Sequence, residues 1–387
     1  MLVLVSKTYI KLQLSLCAKF RCIEYFWDEE KEKVGRFRKT SYQAVLAKLS
    51  KLVNLTYVSL QLWTIAVSGY STATKIEALL FFIIYSTGAL LRLGYVGLGP
   101  DKMFNMLTDL ETHFRDIYGS HLESRGIVEY VIYSVQVLSY VNGLHVPVMI
   151  SLLLLIRPCQ PPFLASFLLP SCTLGSLEPI ETCWPLKLLI LLVEYVIFGQ
   201  TVISGSFYLN YVIIAGICCI SKYTCTFSFN PGHKNDGFSE YRALQVASCH
   251  VNDCLRYVLF PACIVGPPLL QMLGTFACIK LRDQIDWPLF GLFPLIVGLS
   301  LILTLMPLIA AAKIYVESVE IIKRFDGWSA AHAKESKVWR RMVKSIRPAR
   351  IYFGGNFVDG CTPLVVQDFC VHQTASLLVY TKSVRIG

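Results

Sequence analysis

The stretch WPLKLLILLVEYVIFGQTVISGSFYLNYVIIAGICCI, residues 184–220, carries only two charged side chains, Lys187 and Glu194. Roughly 20 apolar residues cross a hydrocarbon core about 30 Å thick. Two crossings need about 40 residues plus a turn, so this run predicts one helix rather than a hairpin. At 1.5 Å per residue it is about 55 Å long, and it must tilt or project well beyond the bilayer. Trp184 stands at one end, where an interfacial aromatic belt places tryptophan.

Four comparable runs flank it: Leu52–Tyr70, Ile76–Val96, Ile127–Ile156 and Trp287–Ile314. A sixth, Tyr257–Ile279, is nearly as apolar although it holds Pro261, Pro267 and Pro268. Membrane helices tolerate such prolines, and likewise Pro147 and Pro307, where neighbours re-satisfy the freed backbone groups. Only 16% of the 387 residues are charged, against about 25% in soluble proteins. The sequence therefore predicts an all-α, polytopic membrane bundle with six clear spans inside residues 52–316. Soluble, disordered and collagen-like classes are excluded.

Of the 36 lysines and arginines, 28 fall in segments 1–51, 98–126, 221–256 and 313–350, and five in the alternate loops. Basic residues stay inside, which predicts a multi-pass protein of the cell membrane with a cytoplasmic N-terminus. The net charge of +10 thus belongs to membrane flanks and lipid headgroups. A nucleic-acid partner would require it concentrated on a soluble domain. Segment 1–51 begins with an apolar stretch interrupted by Lys7 and Lys11 and lacks a small-residue cleavage site. It reads as an amphipathic segment lying at the interface or in the cytoplasm, not as a signal peptide.

Polar residues inside spans are functional candidates by default. Asn142 and His145 sit one turn apart in the third span; Glu194 and Gln200 occupy the outward half of the fourth. With Tyr85 and Tyr195 they form a candidate lining for a cavity open to the outside. The plainer alternative is interhelical hydrogen bonding that only packs the bundle. The outer loop 157–183 contains Cys159, Cys172 and Cys183 on the oxidising side. Either one disulfide forms among the three, with the pair undetermined, or the thiols stay free.

Cys225, His233, Cys249, His250 and Cys254 share one inner loop, but Cys249 and Cys254 have no second close pair and diverge on a helix, so no metal site is expected. P-loop, Gly-x-Ser-x-Gly and His-Glu-x-x-His motifs are absent; neither enzymatic activity nor a cofactor is predicted. The sequon Asn54-Leu-Thr56 falls at the inner mouth of the first span, the wrong side for a glycan.

In the inner loops, Phe238, Tyr241, Leu244, Val251, Leu255 and Val258 recur at helical spacing. Beyond the sixth span, IYVESVEIIKRF and KESKVWRRMVKSIR read as two further helices within residues 317–358. Their basic residues either touch anionic lipid, or the helices pack with the loop helix and the overlong fourth helix as a cytoplasmic anchor bundle. CTPLVVQDFCVHQTASLLVYT, residues 361–381, is long enough to span but holds Gln367, Asp368, His372 and Gln373. A central Asp costs about 2.5–3.5 kcal/mol on insertion. Residues 359–387 are thus either a tail helix or a seventh span with its polar side turned to water.

KSIRPARIYFGGNFVDGCTPLVVQDF, residues 344–369, resembles the junction between the third cytoplasmic loop and the last helix in the arthropod gustatory and odorant receptor superfamily. Lys344, Ser345, Pro348, Ile351, Gly354 and Phe357 occupy the pattern, and Tyr241, Arg242 and Leu244 match the helix before the fifth span. The gustatory branch's Thr-Tyr and Gln-Phe pairs in the last helix are not reproduced in Phe369–Tyr380, which favours the odorant branch. The resemblance implies a ligand-gated cation channel for an external small molecule. It further implies four subunits, identical or mixed, joined through the cytoplasmic helices and the last helix, which lines the pore. Asp368, His372, Gln373 and Thr374 become pore-lining candidates. Tyr85, Asn142, His145, Glu194 and Gln200 become ligand-binding candidates. The competing classes are a secondary transporter using the same polar residues, for which no internal repeat is visible, and a membrane subunit without a ligand.

Overall fold

The computed structural model describes residues 2–94, 99–118, 127–168, 172, 184–227, 234–282, 290–331 and 337–383. It is an all-α membrane bundle, with two small antiparallel hairpins at one end. Among the described residues five helices are long and apolar enough to cross a membrane: α3 (Thr72–Leu93), α5 (Ile127–Ile156), α7 (Trp184–Thr226), α9 (Leu259–Lys280) and α10 (Leu292–Ala331). Two more polar helices, α2 (Tyr42–Val67) and α12 (Thr362–Ser383), lie against them. Ser41 and Ser71 cap α2 and α3, each hydroxyl accepting from a backbone N–H three residues on at 3.3 Å. Trp287, at the expected start of the sixth span, lies outside the described residues.

The decisive run forms one helix throughout. α7 switches to π-helical pairing over Phe207–Ile214 and returns to α-helix from Ala215. Small residues let its neighbours approach. A Cβ on Gly88 of α3 would lie 2.5 Å from the Thr201 methyl group on α7, so no larger residue fits that crossing.

The N-terminal segment packs against the helices of the bundle. α1 (Leu2–Lys19) is built into the bundle against α5 and α7 and against α4 (Pro100–Tyr118). Ile10, Leu14 and Cys17 are buried, and the Gln13 amide donates to the Ile203 carbonyl at 2.9 Å, next to the π segment. The two lysines that break the apolar run occupy one face, and the following hairpin supplies their partners. That hairpin pairs β1 (Tyr25–Asp28) with β2 (Lys33–Arg36). Lys7 reaches Glu32 and Lys11 reaches Glu29, both at 2.6 Å, and both ammonium groups lie over the Trp27 ring.

At the same end, α8 (Lys234–Leu255), α11 (Lys337–Ser345), α4 and the extensions of α7 and α10 form a helical cluster. Its centre is aromatic: Phe325 packs against Phe227 and Tyr241 at 6.1 and 6.2 Å. Val343 and Ile346 of the α11 region are buried in it, whereas Arg340, Arg341 and Lys344 are exposed. The amphipathic faces read in the sequence are thus satisfied by one another.

The segment following α11 is strapped along α8. The Asn252 side chain donates to the Arg350 carbonyl at 2.7 Å and accepts from the Tyr352 N–H at 2.8 Å. Arg256 donates to the Gly354 carbonyl at 2.5 Å, and the Gly354 N–H returns to the Arg256 carbonyl. Gly354 has φ +55°, the left-handed conformation that suits glycine in the tight hairpin of β3 (Tyr352–Phe353) and β4 (Asn356–Phe357). Arg350 lies over Phe357 at 4.3 Å and Tyr315 at 5.3 Å. Asp359 then accepts from the Cys361 and Thr362 N–H groups and opens α12.

α12 runs the length of the α10 span. Gly360, just before it, sits near Val316, and Leu378 packs with the cluster containing Phe276 and Phe293 at the other end. That interval is about 27 Å at 1.5 Å per residue, close to the hydrocarbon thickness.

Candidate functional site

At the end of the bundle opposite the hairpins, a carboxylate is enclosed by aromatic rings. Glu194, on α7, is 1% exposed. Tyr57 on α2 donates to it at 2.7 and 2.9 Å, Tyr85 on α3 donates at 2.7 Å, and the Leu164 N–H donates at 3.3 Å. All these partners are neutral. Such a carboxylate depends on its hydrogen bonds, because burial without them costs several kcal/mol, on the order of the Born penalty that survives relaxation.

Leu164 belongs to the α5–α7 loop, which folds inward over this group. Phe163 is fully buried, its ring 4.9 Å from Phe81 and 6.5 Å from Tyr85, while Phe198 closes the other side of Tyr85 at 5.2 Å. The loop continues as a single helical turn, α6 (Ala165–Leu168). It is tied at two further points: Gln160 donates to Glu77 of α3 at 2.9 Å, both buried, and Cys159 is disulfide-bonded to Cys172. This resolves the pairing the sequence left open; Cys183 lies outside the described residues. The space around Glu194 is therefore occupied by the protein's own loop.

Tyr85 and Glu194 are brought together as the sequence suggests, and the other ligand-binding candidates are not. Gln200 bonds Ser50 at 2.5 Å and the Phe20 carbonyl at 3.1 Å, so it anchors the N-terminal segment. Six positions along a helix are about 240° of rotation at 3.6 residues per turn, which turns Gln200 away from Glu194. His145 is exposed on the flank of α5, its Nδ1 2.9 Å from the Val141 carbonyl; Asn142 is half-buried beside it. Tyr195 faces Phe20 at 6.1 Å. Sequence reasoning missed Tyr57, Glu77 and Phe163. It also missed Gln61, which is buried one turn from Tyr57 on α2. Tyr57, Gln61 and Glu77 were available as polar positions inside predicted spans.

The sequon is structural as well. Asn54 is 2% exposed and donates to Thr201 at 2.7 Å, leaving no room for a glycan. Cys249 is exposed and Cys254 buried, so they do not share a face; His233 lies outside the described residues.

The second candidate region is α12. Its buried stripe contains Pro363, Cys370 and Thr374. Thr374 is 8% exposed and donates to the Cys370 carbonyl at 2.7 Å, so it faces the bundle. Directly opposite lie Asp368, His372 and Ser376, spaced four apart on one face. Asp368 and His372 are 3.4 Å apart with side chains 72% and 75% exposed. Gln373 is exposed on the flank, and Gln367 is held by Gln271 at 2.9 Å. Among the described residues of the single chain, none covers this stripe.

No protein-family model matches the chain, and no curated protein matches it. Among solved structures, the insect olfactory receptor OR5 from Machilis hrabei superposes with a TM-score of 0.56, at 11% identity, over 97% of this chain and 99% of that one. The same receptor in complex with eugenol gives 0.55 at 13% identity, over 98% and 99%. The chain has the fold of that olfactory receptor along essentially its whole length.

Proposed function

We propose that the chain is a chemosensory receptor of the odorant-receptor kind, a cation channel gated by a small molecule arriving from outside. The observation that carries this reading is the Asp368–His372–Ser376 stripe, exposed on the face of α12 turned away from its own bundle; in this reading α12 spans the membrane. A charged side chain within a membrane ordinarily faces protein or water. Assembly of several copies around α12 supplies that water-filled face, and the junction motif and the shared fold agree with it. The orientation follows the basic asymmetry of the loops, with the hairpin end cytoplasmic and the Glu194 end external.

In this reading the described arrangement is a closed one. The α5–α7 loop, through Phe163 and the Leu164 N–H, fills the external chamber around Glu194, Tyr57 and Tyr85. A ligand with an apolar body and one hydrogen-bond donor replaces those contacts. It favours opening only if it binds the open arrangement more tightly. The junction strap joins the α8–α10 cluster to α12 and is the connection through which rearrangement of the bundle reaches the pore helix.

The test is electrophysiological. Cells expressing the chain, alone and with a second receptor subunit, are exposed to a panel of volatile aromatic and aliphatic compounds. The expected result is a ligand-evoked cation current; saturable uptake of a compound without current assigns the chain to the transporter class instead.

A further inference from the structure

The N-terminal hairpin, the start of α2 and the end of α3 enclose a cavity of about 170 Å³, lined in part by Glu24, Arg36, Lys51, Leu93, Gly94 and Tyr208. A polar cavity that size holds several waters, or one phosphate group. Its charges do not balance. Among the described residues Glu24 is the only carboxylate in the lining, and it is already shared, 2.7 Å from Arg36 and 3.5 Å from Lys51.

A third cation stands behind the wall. Arg92, next to the lining residue Leu93, is 1% exposed. One of its amino groups donates to the Ser50 hydroxyl at 2.5 Å and the Cys22 carbonyl at 3.3 Å. Its Nε and its other amino group have no hydrogen-bond partner. A buried guanidinium left half-paired is costly, and among the described residues here three cations surround one carboxylate, a local surplus of positive charge. The carbonyl end of α3 borders the cavity with a partial negative charge. That is about half an elementary charge, too little to cancel the surplus.

The geometry points to a binding site for the phosphate group of an anionic lipid headgroup, clamped by Arg36 and Lys51 with Arg92 behind them. Arginine forks match phosphate oxygens, and basic pockets between membrane helices receive phosphorylated headgroups. The lipid source is favoured over free phosphate because the neighbouring surface is apolar: Leu49, Leu52 and Leu93 are 53%, 61% and 50% exposed, a surface suited to acyl chains. Assignment to the cytoplasmic leaflet rests on the proposed orientation; the phosphate site itself does not.

The test uses the full chain in detergent, with dioctanoyl phosphatidylinositol 4,5-bisphosphate, dioctanoyl phosphatidylcholine, inositol 1,4,5-trisphosphate and inorganic phosphate as probes. Bound stoichiometry is read by native mass spectrometry and thermal unfolding. The phosphoinositide is expected to bind and raise the melting temperature, while phosphatidylcholine has no effect. Arg36→Gln with Lys51→Gln is expected to weaken binding at least tenfold. Glu24→Gln removes the competing carboxylate and is expected to tighten binding several-fold, which keeps the test decisive if the double variant fails to fold. Equal binding of inositol trisphosphate or inorganic phosphate overturns the lipid source. No binding by any phosphorylated probe, or unchanged affinity in the Glu24 and double variants, overturns the site. None of these readouts depends on current through the channel.

Discussion

Tyr57 donates to both carboxylate oxygens of Glu194, at 2.7 and 2.9 Å, across the α2–α7 interface. Together with Tyr85 it holds a fully buried carboxylate without a cation among its hydrogen-bond partners. A hydrogen bond to a charged group contributes about 1.5–3 kcal/mol. Tyr57→Phe and Tyr85→Phe are each expected to destabilise the chain by about that much. The double variant is expected to lose less than the sum, because the carboxylate then takes up a proton or water. Thermal unfolding of the two single variants and the double variant checks both expectations; strict additivity would argue against a shared site.

Phe163 belongs to the loop and not to the spans, yet it is buried as deeply as any core residue. Phe163→Ala is expected to cost about 3–5 kcal/mol if the site stays rigid, and less if the loop collapses into the space. In the receptor reading it also empties the chamber, so the ligand concentration for half-maximal current is expected to fall. A rise in that concentration would show that the ring contributes to the ligand site rather than obstructing it.

Asn252 brackets residues 350–352 with one bond in each direction. Asn252→Ala leaves a carbonyl and an N–H unpartnered, at about 1–3 kcal/mol for each group that stays buried. Hydrogen exchange is expected to accelerate over residues 350–357 while α5 and α7 keep their protection. Uniform acceleration would mean the strap is not a separable connector.

At the hairpin, burial pushes the Glu24 carboxyl up, but Arg36 and Lys51 together outweigh it and hold it below the ordinary carboxylate range. A carboxylate depressed by folding stabilises the folded state above its unfolded pKa, and that contribution is lost as pH falls through the folded value. Docking of the N-terminal segment is therefore expected to be level from pH 8 to about 5 and to weaken only below about 4, near and under the unperturbed carboxylate value. Limited proteolysis near residues 37–41 across that range checks it; loosening already at pH 6 would implicate another group.

Where the chain's own covalent pattern decided the outcome, the sequence was enough. The length and apolarity of residues 184–220 dictated one helix, and the helical spacing of Phe238, Tyr241 and Leu244 predicted the face that packs against Phe227 and Phe325. What could not be read depended on pairing across distance. Lys7 and Lys11 look like interfacial charges until Glu29 and Glu32 fold back onto them. Gln200 seems to belong with Glu194 until rotation about α7 is taken into account. Nothing local in Pro162–Phe163–Leu164 announces that an outer loop will enter the bundle. α12 is the intermediate case: Asp368 lowered its apolarity, and only its contacts with α9 and α10 place it alongside the spans.

The central claim is that the Asp368–His372–Ser376 face of α12 lines the ion path, and cysteine accessibility tests it most directly. Asp368→Cys, His372→Cys, Ser376→Cys and Thr374→Cys are introduced singly, and ligand-evoked current is followed while a positively charged thiosulfonate reagent is applied, with the parent chain as control for its own exposed cysteines. The account predicts that the current through the Asp368, His372 and Ser376 variants is altered within the open state, and that Thr374→Cys, whose side chain faces the bundle, is unaffected. Modification at Thr374→Cys with no effect at the other three positions would contradict it.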